Sequence, residues 1–333
     1  MLASNALHAR RPARELVAGK YLLAEELGAG GMGVVYRAHQ LQPPRCVAIK
    51  FLHRVLARDP GIVARFRVEA LAAARLEHPA SVAVLDHGED EDGTPYLVME
   101  YVRGRTLRRV VADGPLPLER AISIAQQILG ALACAHAHGI VHADVKTENV
   151  LVQEPERVKL VDFGLARVIF SLDEDDRDVR TEAHIAGTPE YMAPEVILGD
   201  APSPASDIYA VGVILHELVT GATPFGGGKP MDIFQRHVLD PIVPPSVRFP
   251  HLTLPRELEE VLARALAKAP ALRFRDATAF AEALDRCPMP GARAAHPPAP
   301  TDGSHAVGAR CPTLRVRSLT GPPLQPARSA STR

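Results

Sequence analysis

Residues 142–149 read HADVKTEN, and the motif DFG follows at residues 162–164. A third motif, GTPEYMAPE, occupies residues 187–195. Between the first two motifs, residues 150–152 are Val-Leu-Val, a short apolar run that is typical of a buried strand. Each short motif is common by chance, but the three in this order and at this spacing are not. Together they indicate one fold.

A lysine upstream of these motifs lies on a predicted strand. Residues 47–50 read VAIK, and lysines are few among the 38 Lys and Arg residues, so a lysine within a motif is notable. A lysine that faces inward from a strand is costly to bury unless an acid pairs with it. The helical pattern over residues 59–77 offers Glu69 as that acid. The alternative is that Lys50 and Glu69 are two solvated surface charges.

A glycine-rich segment precedes this lysine. Residues 27–36 read LGAGGMGVVY, in which Gly28, Gly30 and Gly33 match the pattern G-x-G-x-x-G. A dinucleotide site requires a helix directly after the glycines, whereas residues 34–36 continue as a strand. The glycines are therefore predicted to lie in a hairpin whose backbone could approach phosphates closely. Taken alone, a plain hairpin is an equally good interpretation.

Over residues 19–287 the ordered motifs resemble the eukaryotic-like (Hanks-type) serine/threonine protein kinases of bacteria. The resemblance implies an α+β fold with two lobes. Residues 19–102 would form a small antiparallel β lobe with one helix, and residues 103–287 a larger, mainly helical lobe. Residues 1–18 are predicted to be a disordered arm. Residues 288–333 are predicted to be a disordered Pro/Arg-rich tail, because so little of that segment is apolar enough to bury.

The resemblance also implies a site for phosphoryl transfer. Lys50 would contact the α- and β-phosphates, with Glu69 holding it in place. Asp144 would orient the substrate hydroxyl and accept its proton, and Lys146 would contact the γ-phosphate. Thr188 would link the substrate loop to Asp144 and Lys146. Lys146 and Thr188 match serine/threonine kinases rather than tyrosine kinases.

ATP and Mg²⁺ are the implied cofactors, with Mn²⁺ as a substitute. Asp162 and Asn149 would hold the metal, because a carboxylate and an amide oxygen suit a hard cation. The nucleotide would be bound by the glycine loop at residues 27–33, an apolar pocket and a hinge segment at residues 99–102. The residues implied are Leu27, Gly28, Ala29, Gly30, Gly31, Met32, Gly33, Val35, Ala48, Lys50, Met99, Glu100, Val102 and Leu151.

Two residues of the first motif depart from the family's usual pattern. Ala143 stands where an arginine normally receives a phosphate of the activation segment, and about one to three charge-assisted hydrogen bonds are lost with it. We therefore expect activity that does not need phosphorylation at Ser171 or Thr181. Thr147 stands where a proline is usual, which is a mild change. The acidic run at residues 173–178 either substitutes for a phosphate or is simply solvated.

Four further residues are expected to have structural roles. Glu195 and Arg273 match the family's buried ion pair. Asp207 matches an aspartate that orders the catalytic loop, and His142 is expected to be a buried scaffold residue.

Composition excludes other classes of protein. The net charge of −1 gives no field that would attract nucleic acid, and four widely spaced cysteines argue against a zinc ribbon or a disulfide scaffold. The sequence has no run of 18 apolar residues, and its first residues lack the apolar core of a secretory signal. We therefore expect a cytoplasmic protein without a membrane span. Its partners would be protein substrates. The tail would either bind a docking protein or be a disordered segment without a partner.

Two alternatives to an active protein kinase would each leave a distinct mark in the sequence. A pseudokinase scaffold would bind ATP without efficient transfer, and its signature would be the loss of Lys50, Asp144, Asn149 or Asp162, all of which are present. A small-molecule phosphotransferase would lack the segment at residues 187–195, which the resemblance assigns to peptide binding.

Overall fold

The computed structural model describes residue 11 and residues 15–153, 155–163 and 188–288, apart from the side chain of Glu69. The chain divides into two units between residues 292 and 293. The second unit lies outside the described residues, and so do the arm up to residue 10, the acidic run at residues 173–178, Ser171 and Thr181.

The first lobe is a six-stranded antiparallel sheet with one long helix, as predicted. The strands lie in the order β1-β2-β3-β4-β6-β5. Their bounds are β1 Leu16–Val17, β2 Tyr21–Ala29, β3 Gly33–Gln40, β4 Arg45–Leu52, β5 Val84–Glu89 and β6 Pro95–Glu100, and helix α1 is Pro60–Ala73. The β2–β3 pair is the predicted glycine hairpin, with Gly28 opposite Val35.

Alternation along β4 sends its side chains into two apolar layers. Ile49 and Phe51 belong to a cluster on one face of the sheet. Ala48 and Leu52 belong to a second cluster with residues of α1. The same period places Lys50 on the face that carries α1, where it is only 7% exposed. An amine at that depth requires an anionic partner.

The sheet begins earlier than the predicted boundary at residue 19. Strand β1 pairs with β2, and the guanidinium of Arg11 lies 4.0 Å above the centre of the Phe51 ring. Arg11 also pairs with Glu15, at 2.6 Å, and with Asp90. The end of the arm is therefore held by contacts with residues far along the chain, which its own composition does not show.

The second lobe is mainly helical, which confirms the two-lobed α+β fold. Its helices are α2 Leu107–Val111, α3 Leu118–Ala137, α4 Pro194–Ile197, α5 Pro204–Thr220, α6 Pro230–Leu239, α7 Pro245–Arg248, α8 Arg256–Ala265 and α9 Ala277–Asp285, and a small sheet joins β7 Arg105–Thr106, β8 Val150–Gln153 and β9 Arg157–Leu160. Single 3₁₀ turns occupy Leu56–Arg58, Thr147–Asn149, Pro189–Tyr191 and Pro270–Leu272.

Helix α5 is the centre of this lobe, because nearly all of its residues are buried. It ends at Gly221, whose φ of 77° lies in the left-handed region that glycine adopts without a steric penalty. At Gly212 an added Cβ would lie 3.0 Å from the Cβ of Ala265, so α8 packs closely against the backbone of α5. Within the described residues, none of the helices combines the length and the apolar character needed to cross a membrane.

The lowered pKa values of two buried histidines predict how the stability of the fold depends on pH. Burial lowers the pKa of His216 to about 4 and that of His237 to about 3, with Arg248 and Lys268 adding to the respective shifts. The folded state therefore favours the neutral rings, whereas the unfolded chain binds protons below about pH 6.5. The contribution of these two histidines to stability should be constant above that pH. As the pH falls from 6.5 towards 4, it should decline by up to about 1.4 kcal/mol per pH unit for each histidine.

Urea unfolding at pH 7.5, 6.5, 5.5 and 5.0 measures this decline. The variant His216→Gln should lose part of the slope, and His138→Gln, at an exposed position, should keep all of it. Equal stability at pH 7.5 and pH 5.0 in the unmodified protein would show that these rings do not stay neutral in the folded state.

Candidate active site

Lys50 and Asp162 meet between the two lobes. The Nζ of Lys50 lies 2.9 Å from Oδ1 of Asp162. Burial acts to raise the pKa of the Asp162 carboxyl, but Lys50 opposes it and holds that pKa below its ordinary value. Glu69 lies on α1, but its side chain is outside the described atoms, so its pairing with Lys50 stays a prediction.

Asp144 is held by two neighbours in the catalytic loop. Its Oδ2 lies 2.6 Å from Nζ of Lys146 and accepts a hydrogen bond of 3.0 Å from Nδ2 of Asn149. The same amide nitrogen donates to the backbone carbonyl of Asp144 at 2.8 Å. The side chains predicted for proton acceptance and phosphate contact are therefore adjacent, and the carboxylate has a fixed orientation.

Asp207 on α5 fixes the backbone of the loop at residues 142–149. Its two carboxylate oxygens accept the amide protons of His142 and Ala143, each at 2.9 Å. Nε2 of His136 lies 2.8 Å from the same carboxylate. Ala143 has a φ of 64°, a conformation that costs a non-glycine residue energy and that these bonds help to hold. The expected role of Asp207 is thus visible in its contacts.

His142 joins the catalytic loop to the segment before Asp162. Its Nε2 lies 2.9 Å from the carbonyl oxygen of Val161, so Nε2 must donate, and Nδ1 accepts from the amide of Asp144 at 3.3 Å. Its ring also contacts Phe163, with centroids 4.8 Å apart. Both ring nitrogens are used in these contacts, as a scaffold role requires.

The residues predicted to form the apolar nucleotide pocket lie around β3, β4 and β6. Ala48 and Met99 are buried in one cluster, and Val35 and Val102 pack against it. Leu151, on β8 in the other lobe, is half-buried. In the glycine loop Gly28, Ala29, Gly30 and Gly31 are exposed with Leu27, whereas Met32 and Gly33 are buried.

The donors fit a divalent cation at Asp162 and Asn149. The nitrogen of the Asn149 amide is turned to Asp144, so its oxygen is the atom that a cation would use. One carboxylate and one amide oxygen, completed by phosphate oxygens and water, form a ligand set that Mg²⁺ accepts. Among the described residues, no group of three His, Cys, Asp or Glu side chains is arranged to hold a metal without such additions.

Thr188 begins the segment that lies beside Asp144. Residues Asp144, Thr188 and Tyr191 line one cavity at this point. Where the segment ends, Arg273 binds both carboxylate oxygens of Glu195 at 2.7 and 2.6 Å, as expected for the buried ion pair.

The match to a known family covers most of the chain. The model of the protein kinase domain matches residues 21–284. The chain belongs to the protein kinase family. Similar proteins include serine/threonine-protein kinase pkn3 of Myxococcus xanthus, which is 39% identical over 307 residues, or 91% of this chain and 56% of that protein. PknB of Mycobacterium leprae is 42% identical over 262 residues, or 78% of this chain and 41% of that protein.

A solved structure supports the assignment of this chain to the protein kinase family. The crystal structure of the Mycobacterium tuberculosis PknI kinase domain matches with a TM-score of 0.64 and 32% identity, over 83% of this chain and 98% of that one. This kinase spans about half the length of the curated relatives that it matches. The sequence resemblance to bacterial serine/threonine kinases is thereby confirmed.

Sequence reasoning missed two residues that shape the site. Lys159 on β9 donates to the carbonyl oxygen of Ser81 at 3.0 Å and pairs with Glu100 at 2.5 Å, so it ties the hinge to the second lobe. In the sequence, only the scarcity of lysine marks Lys159 as notable. His53, directly after β4, donates from Nε2 to the carbonyl oxygen of Gly30 at 2.7 Å, and its amide donates to that of Met32 at 2.9 Å.

The contacts of His53 predict an effect on the KM for ATP. The variant His53→Phe keeps a ring but removes the donor to Gly30, so the glycine loop loses one of its anchors. One hydrogen bond of this kind contributes about 0.5–1.5 kcal/mol, so the KM for ATP should rise about 2- to 10-fold. The KM for a protein substrate should not change.

His53→Gln supplies a replacement donor and should restore most of the affinity for ATP. The control is His39→Phe, an exposed histidine on β3. Steady-state kinetics with ATP varied gives the comparison, and an equal KM in wild type and His53→Phe would show that the anchor has no role in nucleotide binding.

Proposed function

We propose that this kinase transfers the γ-phosphate of Mg-ATP to serine and threonine hydroxyls of proteins. The observation that carries the proposal is the arrangement at Asp144, whose carboxylate is held by Lys146 at 2.6 Å and by Asn149 at 3.0 Å. Phosphoryl transfer depends mainly on positioning and on neutralising charge. A fixed carboxylate beside a lysine offers both, and the Lys50–Asp162 pair at 2.9 Å provides a second cation in the same cleft.

Each residue then has a defined task. Asp144 orients the acceptor hydroxyl and takes its proton, while Lys146 neutralises charge on the transferred phosphate. Lys50 contacts the α- and β-phosphates, with Glu69 as its proposed partner on α1. Thr188 sets the acceptor segment beside Asp144.

The nucleotide and the metal complete this proposal. The glycine loop at residues 27–33 covers the phosphates with its amide groups, and the base lies among Val35, Ala48 and Leu151, with backbone groups of Glu100 and Val102 at its edge. Mg²⁺ held by Asp162 and Asn149 would neutralise phosphate charge, and Mn²⁺ would serve as a substitute for Mg²⁺. Metal dependence of ATP binding, followed by calorimetry with Mg²⁺, Mn²⁺ or EDTA, tests this part separately from turnover.

Transfer of labelled phosphate tests the proposed activity. The purified chain is incubated with Mg²⁺ and γ-labelled ATP, and the acid hydrolysate of the labelled protein is separated into phosphoamino acids. Label in phosphoserine and phosphothreonine supports the proposal. ATP binding without any labelled protein would indicate a pseudokinase scaffold, and label only in small molecules would indicate a small-molecule phosphotransferase.

Independence from activation-loop phosphorylation is a further part of the proposal. Ala143 has no guanidinium to receive a phosphate, and its amide is already bound by Asp207 at 2.9 Å. The double variant Ser171→Ala/Thr181→Ala should therefore keep most of the wild-type activity. A large loss of activity in a folded double variant would contradict this idea.

We also propose a cytoplasmic location and a docking role for the tail. The three described cysteines Cys46, Cys134 and Cys287 are free thiols, which fits a reducing compartment. The Pro- and Arg-rich composition of residues 288–333 suits a partner that recognises extended proline-rich segments. Subcellular fractionation tests the location, and deletion of residues 288–333 tests whether substrate choice changes while the activity on a short peptide is kept.

A further inference from the structure

Thr147 has a buried hydroxyl in the catalytic loop. The residue is 0% exposed, and its Oγ1 lies 2.8 Å from the hydroxyl oxygen of Tyr191. It follows Lys146 directly and comes three residues after Asp144. Tyr191 lies between Thr188 and the end of the 188–195 segment. The bond therefore joins the loop that carries Asp144 to the segment beside it.

The direction of this bond is determined by its neighbours. The hydroxyl of Tyr191 donates to Oε2 of Glu217 at 2.5 Å. A hydroxyl has one proton, so towards Thr147 the Tyr191 oxygen accepts, and Thr147 donates at 2.8 Å. Oε2 of Glu148, at 3.4 Å, is a more distant acceptor for the same proton. Burial raises the pKa of the Glu217 carboxyl, and Arg108, which binds its other oxygen at 3.2 Å, acts in the opposite direction with Tyr191. The chain of bonds thus runs in order from Thr147 through Tyr191 to Glu217.

Helix α5 supplies both anchors of the catalytic loop. Asp207, near its start, holds the amides of His142 and Ala143. Glu217, ten residues later and about 15 Å further along the helix, holds Tyr191 and through it Thr147. Because the same helix holds residues 142–143 through Asp207 and Tyr191 through Glu217, it fixes the position of the loop relative to the 188–195 segment.

This chain carries both departures noted above within the same loop. Ala143 cannot reach an activation-segment phosphate, and a proline at position 147 would have no hydroxyl to give Tyr191. We propose that Thr147 is a positioning residue that holds residues 188–195 against Asp144, so that the acceptor segment is set without a phosphate tether. The proposal rests on the proposed kinase function and names the way in which its substrate platform is kept in place.

Kinetics of four variants test the role of this hydroxyl. Thr147→Val keeps the shape of the side chain and removes the donor. Tyr191→Phe removes the acceptor and, with it, the bond to Glu217. Each should raise the KM for a protein substrate about 3- to 10-fold and leave the KM for ATP unchanged. The double variant should be no worse than Tyr191→Phe alone, because that substitution already removes the bond that Thr147→Val breaks. Thr147→Ser should restore the wild-type KM.

Phosphatase treatment separates positioning by Thr147 from positioning by phosphate. Treated wild type should keep its KM for protein substrate, and treated Thr147→Val should keep the raised value. A wild-type KM in Thr147→Val, equal rises in both KM values, or no rescue by serine would overturn the proposal.

Hydrogen exchange gives a readout that does not need turnover. Thr147→Val should speed amide exchange in the peptide that contains residues 188–195 and leave the peptide that contains Lys50 unchanged. If wild type labels no protein, the proposed function fails, and exchange still decides the role of Thr147. Unchanged exchange in residues 188–195 would overturn that role. Should the valine variant not fold, Thr147→Ala also removes the donor and leaves the Tyr191–Glu217 bond in place, so it carries the same comparison with Thr147→Ser.

Discussion

Replacing Asp144 with asparagine is expected to lower kcat for protein phosphorylation by about 10²- to 10⁴-fold, the range that proton transfer by a positioned side chain contributes. The amide of asparagine fits the same space, and its oxygen can still face Lys146 and Asn149, which hold the carboxylate at 2.6 and 3.0 Å in the wild type. What it lacks is the ability to take a proton from the acceptor hydroxyl. The KM for ATP should therefore stay close to the wild-type value.

The measurement is steady-state transfer from labelled ATP, with ATP binding followed by calorimetry and folding by thermal denaturation. Asp113→Asn is the matched control, because its side chain is 68% exposed and pairs with Arg105 at the surface. Activity of Asp144→Asn within tenfold of wild type would show that this carboxylate does not accept the proton. Loss of ATP binding would show instead that the substitution disturbs the nucleotide site.

The parts of the site that the sequence predicted are those made by residues close together in the chain. Asp144, Lys146 and Asn149 lie within six residues, and the turn Thr147–Asn149 brings them together with local bonds. The glycine hairpin was predictable for the same reason, because Gly28 and Val35 pair within one β-turn-linked unit. A short motif fixes such geometry wherever it occurs, so a pattern of letters is enough.

The parts that it missed depend on long-range packing. Tyr191 and Glu217 are 26 residues apart, and Arg108 and Glu217 are 109 apart. No local pattern marks such a group, and the sequence around Thr147 indicates only a mild change because its partner Tyr191 lies 44 residues away. His53 is similar, since its role depends on where the carbonyl of Gly30 points.

The scarcity of lysine in the sequence marks residues that have specific contacts in the structure. Lys50 and Lys146 pair with the two aspartates of the site. Lys159 pairs with Glu100 at the hinge, and Lys268 donates to the carbonyl oxygen of His237 at 2.6 Å. In a chain where arginine is the common cation, each of these four lysines has a specific partner. Composition marks the lysines as unusual but cannot say which partner each one has.

The second large effect is expected at Arg273, in the core of the helical lobe. Its guanidinium is fully buried and binds both oxygens of Glu195, at 2.7 and 2.6 Å. Replacing it with methionine leaves the carboxylate of Glu195 without its charge partner in a buried site. Breaking a buried pair from one side costs about 3–5 kcal/mol, so Arg273→Met should lower the free energy of unfolding by that amount.

The matched control lies two residues away. Arg275 is 80% exposed and, among the residues that the structure describes, pairs with its neighbour Asp276, so Arg275→Met should change the free energy of unfolding by less than about 0.5 kcal/mol. Urea denaturation followed by circular dichroism measures both variants. An equal loss in the two would mean that removing any arginine here destabilises the lobe, whatever its burial.

Removing the carboxylate as well separates charge from hydrogen bonding. The double variant Glu195→Leu/Arg273→Met has no unpaired buried charge, so it should recover part of the loss. Recovery should be incomplete, because Arg273 also donates to the carbonyl oxygens of Ala205 and Ala267, each at 2.8 Å, and these would lose a donor. Full recovery would show that the backbone bonds contribute nothing, and no recovery would show that Glu195 is not the source of the cost.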